Sequence, residues 1–336
     1  MNQHEFWRIR MRYTPEEGIP NDYSKQALDH GQVGIWYGAW TADDLNDAKS
    51  LGNDRWAEYL NMNVSAQKSL VTQLKAEGVK GQIGKHEIDT IKRFIDIPKE
   101  DWVVVCIGSQ IHLAHVQGAL ESDLSIANCL NREHPKTNNP KIKEVWKFRR
   151  LTSEQLTFDL AKLPDFYLLI PQAGRGNIFR LSAYREALQI LTKHSTEKGV
   201  REEFEDMGPE ARLNLLGPKE WESFCLGYLI IEERFLPTGL VVGGTLKALD
   251  IVGRDERENT QILAQCKKDQ GEITVEQEFR KAAEGREPGA KVFYFAYGGC
   301  KDKPAYMHAI GKKEIIEWAS SGKGKKYLDS FFIKKW

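Results

Sequence analysis

The chain has 336 residues, of which 41% are hydrophobic and 29% are charged. A chain of this length is too long for one ordinary hydrophobic core, which predicts two domains. The composition excludes a disordered or low-complexity chain. Lysine plus arginine and aspartate plus glutamate each number 48, so the net charge of zero does not by itself indicate a nucleic-acid-binding protein.

The five cysteines are far apart and form no C-x-x-C pair. This spacing argues against a zinc ribbon or a disulfide framework and favours a reducing compartment. The N-terminus, MNQHEFWRIRMRY, is polar, and no run approaches the roughly 18 apolar residues of a membrane span. We therefore expect a cytoplasmic protein without a membrane segment.

Residues 1–195 form the predicted first domain, which is rich in strands. Alternating apolar and polar residues indicate strands, and a period of three to four residues indicates helices. In chain order the predictions are strands in FWRIRMRY and QVGIWYGAW, helices at 41–45, 65–77 and 85–95, a hairpin that turns at Gly108 and Ser109, strands in KEVWKFRRL, at 166–170 and at 177–181, and a helix at 182–193.

Residues 196–216 are charged and interrupted by glycine and proline, which predicts a linker with some helix of its own. The predicted second domain covers 217–336 and begins with Pro218 at a first helical position. Its predicted elements are a helix at 220–231, strands at 246–253 and 262–267, a helix at 275–283 and a strand at 291–296. This order is typical of an α/β nuclease core.

Three polar residues stand at unusual places in the second domain. Asp250 ends an apolar strand in LKALDIVG, and Gln265 and Lys267 lie inside the next strand in LAQCKKD. Residues two apart on a strand face the same way, so Gln265 and Lys267 share one face. If the two strands pair as a hairpin, Asp250 meets this polar pair at one end of the sheet.

Phosphodiester hydrolysis needs an activated water and a counter-charge for its anionic transition state, and Mg²⁺ supplies both. Since Mg²⁺ prefers hard oxygen ligands, the predicted metal ligands are Asp250, Gln265 and the backbone carbonyl of Cys266, with Mn²⁺ as an alternative ion. Lys267 is the predicted catalytic group that orients the attacking water and steadies the phosphate charge.

The remaining acid of the predicted site is Glu222, on the helix before the hairpin, with Glu220 on the same helix as its alternative. Each residue alone also has a plainer interpretation. Asp250 fits an ordinary strand end, Gln265 an edge amide and Lys267 a solvated surface charge. The combination, between apolar strands and in this order of elements, favours a nuclease.

This segment resembles the Mrr-like restriction endonucleases, a branch of the PD-(D/E)XK nucleases whose acid-plus-lysine motif reads Q-x-K. The resemblance spans residues 216–332 and rests on KEWESF, GGTLKALDIVG and LAQCKKD. It implies a restriction-endonuclease-like α/β core with a mixed sheet and Mg²⁺-dependent cleavage of double-stranded DNA. The segment KVFYFAYGG departs from the family pattern of a strand followed by a helix with small residues. Because one active site cuts one strand, we expect a homodimer.

The first domain resembles the EVE-like domains of the PUA superfamily, which precede restriction nucleases. The matching pieces are FWRIR, GQVGIWYGAWTADDL, FIDIPKEDWVVVCIG, IHLAHVQG, KFRRL and QAGRGNIFRL. The resemblance implies an α+β domain, a β-barrel with helices, that holds a flipped and often modified base in an aromatic pocket. Stacking has to offset the cost of flipping, and the predicted base-binding residues are Trp36, Tyr37, Trp40 and Trp102. Packing in the barrel core is the alternative for each.

Basic residues cluster at 141–150 and in the last 14 residues of the chain. Arg149 and Arg150 are the predicted contacts to DNA phosphate, although charge runs of this kind also occur on solvated faces.

The two resemblances together predict a modification-dependent restriction endonuclease that acts on DNA with modified cytosine or adenine. Three alternatives stay open. They are a sequence-specific restriction enzyme for unmodified DNA, a defence DNase activated by a partner or signal, and a non-catalytic nucleic-acid-binding module. Intact Asp250 and Lys267 argue against the last of these.

Overall fold

The computed structural model describes residues 4–13, 21–22, 24–35, 45, 85–123, 146–172, 177–238 and 248–332. The chain divides into two compact units. The first is Met1–Asp159 with Ala173–Ser182, and the second is Leu160–Gln172 with Ala183–Trp336. These limits differ from those predicted at 195 and 217, because residues 160–172 and 183–216 fall in the second unit.

In its described residues, the first unit contains an open, mostly antiparallel sheet and two helices. Its elements are β1 (Phe6–Ile9), β2 (Arg12–Tyr13), β3 (Asn21–Asp22), α1 (Ser24–Asp29), β4 (Gln32–Ile35), α2 (Lys85–Ile95), β5 (Trp102–Ile107), β6 (Gln110–Asp123), β7 (Trp146–Asp159) and β8 (Ile178–Arg180). The main sheet has the order β4-β7-β6-β5-β1-β8, and only its β1–β5 pair is parallel.

The β5–β6 hairpin lies at the centre of this sheet. Val103, Val104 and Val105 are at most 1% exposed, as expected for β-branched residues on a strand buried on both faces. The turn has Gly108 at φ 55°, a left-handed conformation that favours glycine. The hairpin predicted at Gly108 and Ser109 is therefore confirmed.

The described strands do not form the closed barrel that was expected. β4 and β8 are the two edges of the six-stranded sheet, and they do not pair with each other in the described ranges. Barrel closure requires the edge strands to pair with a matching tilt and stagger, and these two strands are only four and three residues long. The first unit is a mixed α/β arrangement with an open sheet.

The second unit is also mixed α/β. Its elements are the 3-10 helices Leu160–Lys162 and Asp165–Gln172, α3 (Arg185–Lys193), α4 (Glu197–Asp206), α5 (Pro209–Leu215), α6 (Pro218–Glu232), β9 (Phe235–Pro237), β10 (Ile251–Asp255), β11 (Gln261–Lys267), β12 (Ile273–Thr274), α7 (Gln277–Glu284), β13 (Lys291–Ala296), β14 (Cys300–Lys301), β15 (Met307–Ile310), α8 (Lys312–Ala319) and α9 (Gly322–Phe332).

The central sheet of this unit is mixed, in the order β15-β13-β11-β10-β9. β9, β10 and β11 pair antiparallel, whereas β11, β13 and β15 pair parallel. The mixed sheet expected for the second domain is therefore present. The segment predicted as a linker, 196–216, contains α4 and α5.

Helix α6 packs its apolar stripe into the second unit. It begins with Pro218 at its first turn, as predicted, and buries Trp221, Phe224 and Cys225 at helical spacing. No helix in the described ranges is long and apolar enough to cross a membrane.

Candidate active site

The β10–β11 hairpin brings the predicted site residues to one end of the sheet. Ile251 pairs with Ala264, so Asp250, just before β10, lies beside the last residues of β11. The Asp250 N–H donates to the Ala264 carbonyl at 3.1 Å. The Cys266 N–H donates to Asp250 Oδ2 at 2.8 Å, which fixes the carboxylate against β11.

The last three residues of β11 lie on both faces of the sheet. Gln265 is 2% exposed and Cys266 is 7% exposed, whereas Lys267 is partly exposed. Strand alternation puts Gln265 and Lys267 on one face and Cys266 on the other. On that other face, the Cys266 thiol contacts the Cys225 thiol of α6, and burial raises the pKa of both.

The two acids at the start of α6 point in different directions, since residues two apart on a helix do not face each other. Glu222 interacts electrostatically with Asp250 and Lys267. Glu220 is 2% exposed and accepts a hydrogen bond from the Tyr184 hydroxyl at 3.0 Å. The structure therefore brings Glu222, and not Glu220, toward the end of the hairpin.

The carboxylates of this site are held in unfavourable surroundings for a negative charge. Burial raises the pKa of Asp250, and the Cys266 N–H and the Lys267 ammonium compensate only in part. Burial also raises the pKa of Glu222, and the nearby charge of Asp250 raises it further. Carboxylates with shifted pKa values that lie close to a lysine are typical of functional sites.

The donor set at the end of the hairpin fits a hard divalent cation. Gln265 Oε1 is buried and has no hydrogen-bond partner within the described part of the chain, which is costly for an amide oxygen unless it meets another ligand. The N–H and carbonyl of one residue point to the same side of a strand, so the Cys266 carbonyl faces the side of Asp250. One carboxylate, one amide oxygen and one carbonyl suit Mg²⁺, which keeps several waters.

These ligands are not a cluster of ionisable side chains. Among the described residues, no three or more His, Cys, Asp or Glu side chains are arranged to hold a metal ion. The predicted set of Asp250, Gln265 and the Cys266 carbonyl has only one such side chain.

Lys268 fastens the end of β11 to the start of α6. Its Nζ donates to the carbonyl of Asn214 at 2.8 Å and also to the carbonyl of Leu216. Burial lowers the pKa of Lys268 to about 8. Because Leu216 lies two residues before Pro218, this contact holds the helix that carries Glu222 near the strand that carries Lys267.

Glu276 is a site residue that the sequence did not indicate. Its Oε1 lies 2.9 Å from Lys267 Nζ, and its negative charge contributes to the raised pKa of Asp250. In the sequence it is only an acid near the start of the helix predicted at 275–283, nine residues after Lys267. The bend of the chain through β12, which pairs with β14, brings it back to the site.

The predicted base-binding residues are only partly described. Trp36, Tyr37 and Trp40 lie outside the described residues. Trp102, at the start of β5, contacts the ring of His115 on β6, with ring centroids 3.8 Å apart and ring planes tilted by 40°. Trp102 is half-buried and stays a predicted base-binding residue.

The two predicted phosphate contacts have different environments. Arg149 is 4% exposed, and its guanidinium donates to the carbonyls of Ile97 and Gly118. Its burial gives it a structural task and argues against a phosphate contact. Arg150 is exposed and forms a bidentate pair with Glu121, with two 2.8 Å contacts, so it stays the predicted phosphate contact of the two.

An open cleft of about 610 Å³ lies in the first unit beside β1 and α2. The Trp7 indole forms part of its wall and donates to Asp101 Oδ2 at 2.8 Å, while Arg180 lies over the Trp7 ring at 4.8 Å. The cleft has the size of a small-molecule pocket, and its lining carries both acidic and basic side chains.

The comparisons with known proteins found no matching family model, no matching curated protein and no matching solved structure.

Proposed function

We propose that this chain is a restriction endonuclease that hydrolyses DNA phosphodiester bonds with Mg²⁺, or with Mn²⁺ in its place. The observation that carries the proposal is the meeting of Asp250, Gln265, Lys267 and Glu222 at one end of the mixed sheet. Gln265 Oε1 has no hydrogen-bond partner among the residues that the structure describes. A structural role alone leaves this oxygen unexplained, whereas a metal ion needs such an oxygen as a ligand.

Each residue has a defined task in this proposal. Asp250, Gln265 and the Cys266 carbonyl hold the ion, and Glu222 adds negative charge beside them. The bound ion supplies charge stabilisation to the phosphate. Lys267 donates hydrogen bonds to the attacking water or to a phosphate oxygen, where negative charge develops in the transition state. The buried side of β11 excludes water from behind the site.

The first unit is proposed to select the target. Its resemblance to EVE-like domains supports reading of a modified cytosine or adenine, and the cleft beside Trp7 offers a second place for a base apart from the aromatic residues named from the sequence. Because each active site cuts one strand, double-strand cleavage is proposed to need a homodimer.

The test is Mg²⁺-dependent cleavage of four matched plasmids by the full chain. The plasmids are unmodified or carry 5-methylcytosine, 5-hydroxymethylcytosine or N6-methyladenine. Cleavage of one modified plasmid supports both halves of the proposal. Equal cleavage of all four keeps the nuclease and removes the modified-base reader, and cleavage that needs an added partner indicates an activated defence DNase. Binding without any cleavage contradicts the nuclease.

A further inference from the structure

The Lys267 ammonium is held by an acid from outside the predicted motif. Lys267 Nζ and Glu276 Oε1 are 2.9 Å apart, and the two side chains are 27% and 47% exposed. The ammonium also interacts electrostatically with Asp250 and Glu222. Lys267 therefore interacts with the predicted metal-binding carboxylate as well as with Glu276.

The Glu276 carboxylate does not serve its own helix. Glu276 occupies the N-cap position of α7, and its side chain accepts no hydrogen bond from the first turn of that helix. Its carboxylate is therefore available to pair with Lys267.

The backbone that carries Glu276 is anchored on both sides. Val275 is 3% exposed and belongs to the core of this unit. Arg280 donates its N–H to the Glu276 carbonyl at 3.0 Å and its Nε to the Val275 carbonyl at 3.3 Å. The carboxylate is therefore presented from a fixed backbone position, while its exposed side chain has no part in the core.

We propose that Glu276 is a positioning residue that acts through Lys267 and keeps its ammonium beside the scissile phosphate. This inference rests on the proposed nuclease function. A lysine has a long and flexible side chain, so an unpaired Lys267 samples many rotamers and has to be ordered during the reaction. The ion pair with Glu276 orders the Lys267 side chain already in the folded protein. Small misplacements of a catalytic group lower the reaction rate strongly.

The experiment compares steady-state DNA cleavage by the full-length wild type with Glu276→Ala, Glu276→Gln and Glu276→Asp. Glu278→Gln is the matched control, because Glu278 is an exposed acid in the first turn of the same helix. We expect Glu276→Ala to lower kcat about tenfold or more. The KM for DNA and the Mg²⁺ concentration for half-maximal rate stay the same. Glu276→Asp restores part of kcat, and Glu278→Gln matches the wild type.

A merely structural role predicts a different pattern, in which kcat falls only together with the melting temperature. Unchanged or faster cleavage by Glu276→Ala, with an active wild type, overturns this inference and leaves the nuclease standing. A changed Mg²⁺ requirement makes Glu276 a ligand and also overturns it. A wild type that cleaves no DNA in any of the four plasmids overturns the proposed function and this inference together.

Discussion

Three carboxylates and one ammonium meet at the end of the β10–β11 hairpin. Glu222, Asp250 and Glu276 each interact with Lys267, and the pKa values of Glu222 and Asp250 are raised. The cluster is short of positive charge, so a bound cation relieves the repulsion that burial makes costly. Binding of a divalent ion is therefore expected to stabilise the second unit.

A substitution at Gln265 tests whether a cation offsets the negative charges of this cluster. Gln265→Glu places a further negative charge at a position that is 2% exposed. We expect the variant to lose about 1–3 kcal/mol of unfolding free energy in a chelator, because its charge is buried among other acids. Added Mg²⁺ or Mn²⁺ should raise its melting temperature more than that of the wild type, since the ion binds only the folded chain.

Thermal unfolding with and without metal measures this effect. Gln265→Met is the control, because it keeps a similar volume without an oxygen ligand, and it should show a smaller metal-induced rise than the wild type. Equal metal-induced rises in all three proteins would contradict a metal ligand at this position.

At the residue scale the sequence predicted the parts of the site that depend on one hairpin. Gln265 and Lys267 follow from strand alternation and Asp250 follows from the pairing of the two strands, and both are properties of a short stretch of chain. The choice between Glu220 and Glu222 needed the orientation of α6 on the sheet. Glu276 reaches Lys267 through the β12–β14 pair, which joins distant parts of the chain and leaves no trace in the spacing of charges.

At the element scale, the turn between β10 and β11 sets the register of the site. Asp255 Oδ1 accepts hydrogen bonds from the N–H groups of Arg257 and Glu258, and its Oδ2 lies 3.0 Å from Lys291 Nζ. These contacts lower the pKa of Asp255 to about 2. The turn is therefore stabilised by an ionised carboxylate at the far end of the hairpin from Asp250.

Asp255→Asn should lower the stability of the second unit at pH 7. The folded pKa lies below the usual value of 3.8, so the charge stabilises the fold above that value and the contribution is lost as the pH falls toward 2. Urea unfolding of both proteins between pH 7 and pH 3 measures the difference, which should shrink below pH 4. A difference that is constant over this range would contradict the assignment.

Helix α6 approaches α9 closely at a glycine. A Cβ on Gly227 would overlap the ring of Tyr327, whose hydroxyl donates to the Ser223 carbonyl at 3.1 Å. We expect Gly227→Ala to destabilise the chain by about 1–3 kcal/mol because the ring has to move. Chemical unfolding gives the value. The same change should cost much less in a Tyr327→Ala background, and full additivity of the two changes would exclude this contact as the cause.

Periodicity predicted most of the longer strands and helices between residues 85 and 296, but it did not predict α1, β9 or the elements after β13. One of its failures has a clear physical cause. The strand predicted at 166–170 is part of the 3-10 helix Asp165–Gln172. A short apolar run does not distinguish a strand from a buried helix, and Phe166, Tyr167 and Ile170 are buried at spacings that suit a helical turn. The strand predicted at 291–296 is confirmed. It is β13, whose apolar residues are buried and which pairs in parallel with β11.

At the scale of the whole molecule, the net charge is zero and the chain divides into two compact units. Neither property indicates the substrate, so the proposed DNA target rests on local features of each unit. The expected barrel depended on which strands pair at the sheet edges, and this non-local property is not encoded in strand periodicity. Selection of a base by the first unit and cutting by the second unit are separate proposals, so each can fail without the other.

The most direct measurement is the Mg²⁺-dependent rate of DNA cleavage by the wild type, Asp250→Ala and Lys267→Ala, with a pool of the four plasmids as substrate. Asp206→Ala, which changes an exposed acid at the end of α4, is the control. We predict cleavage by the wild type and the control that stops in a chelator, and a loss of about 100-fold or more in both site variants, with circular dichroism spectra unchanged. Cleavage by Asp250→Ala at the wild-type rate would contradict the assignment of the active site.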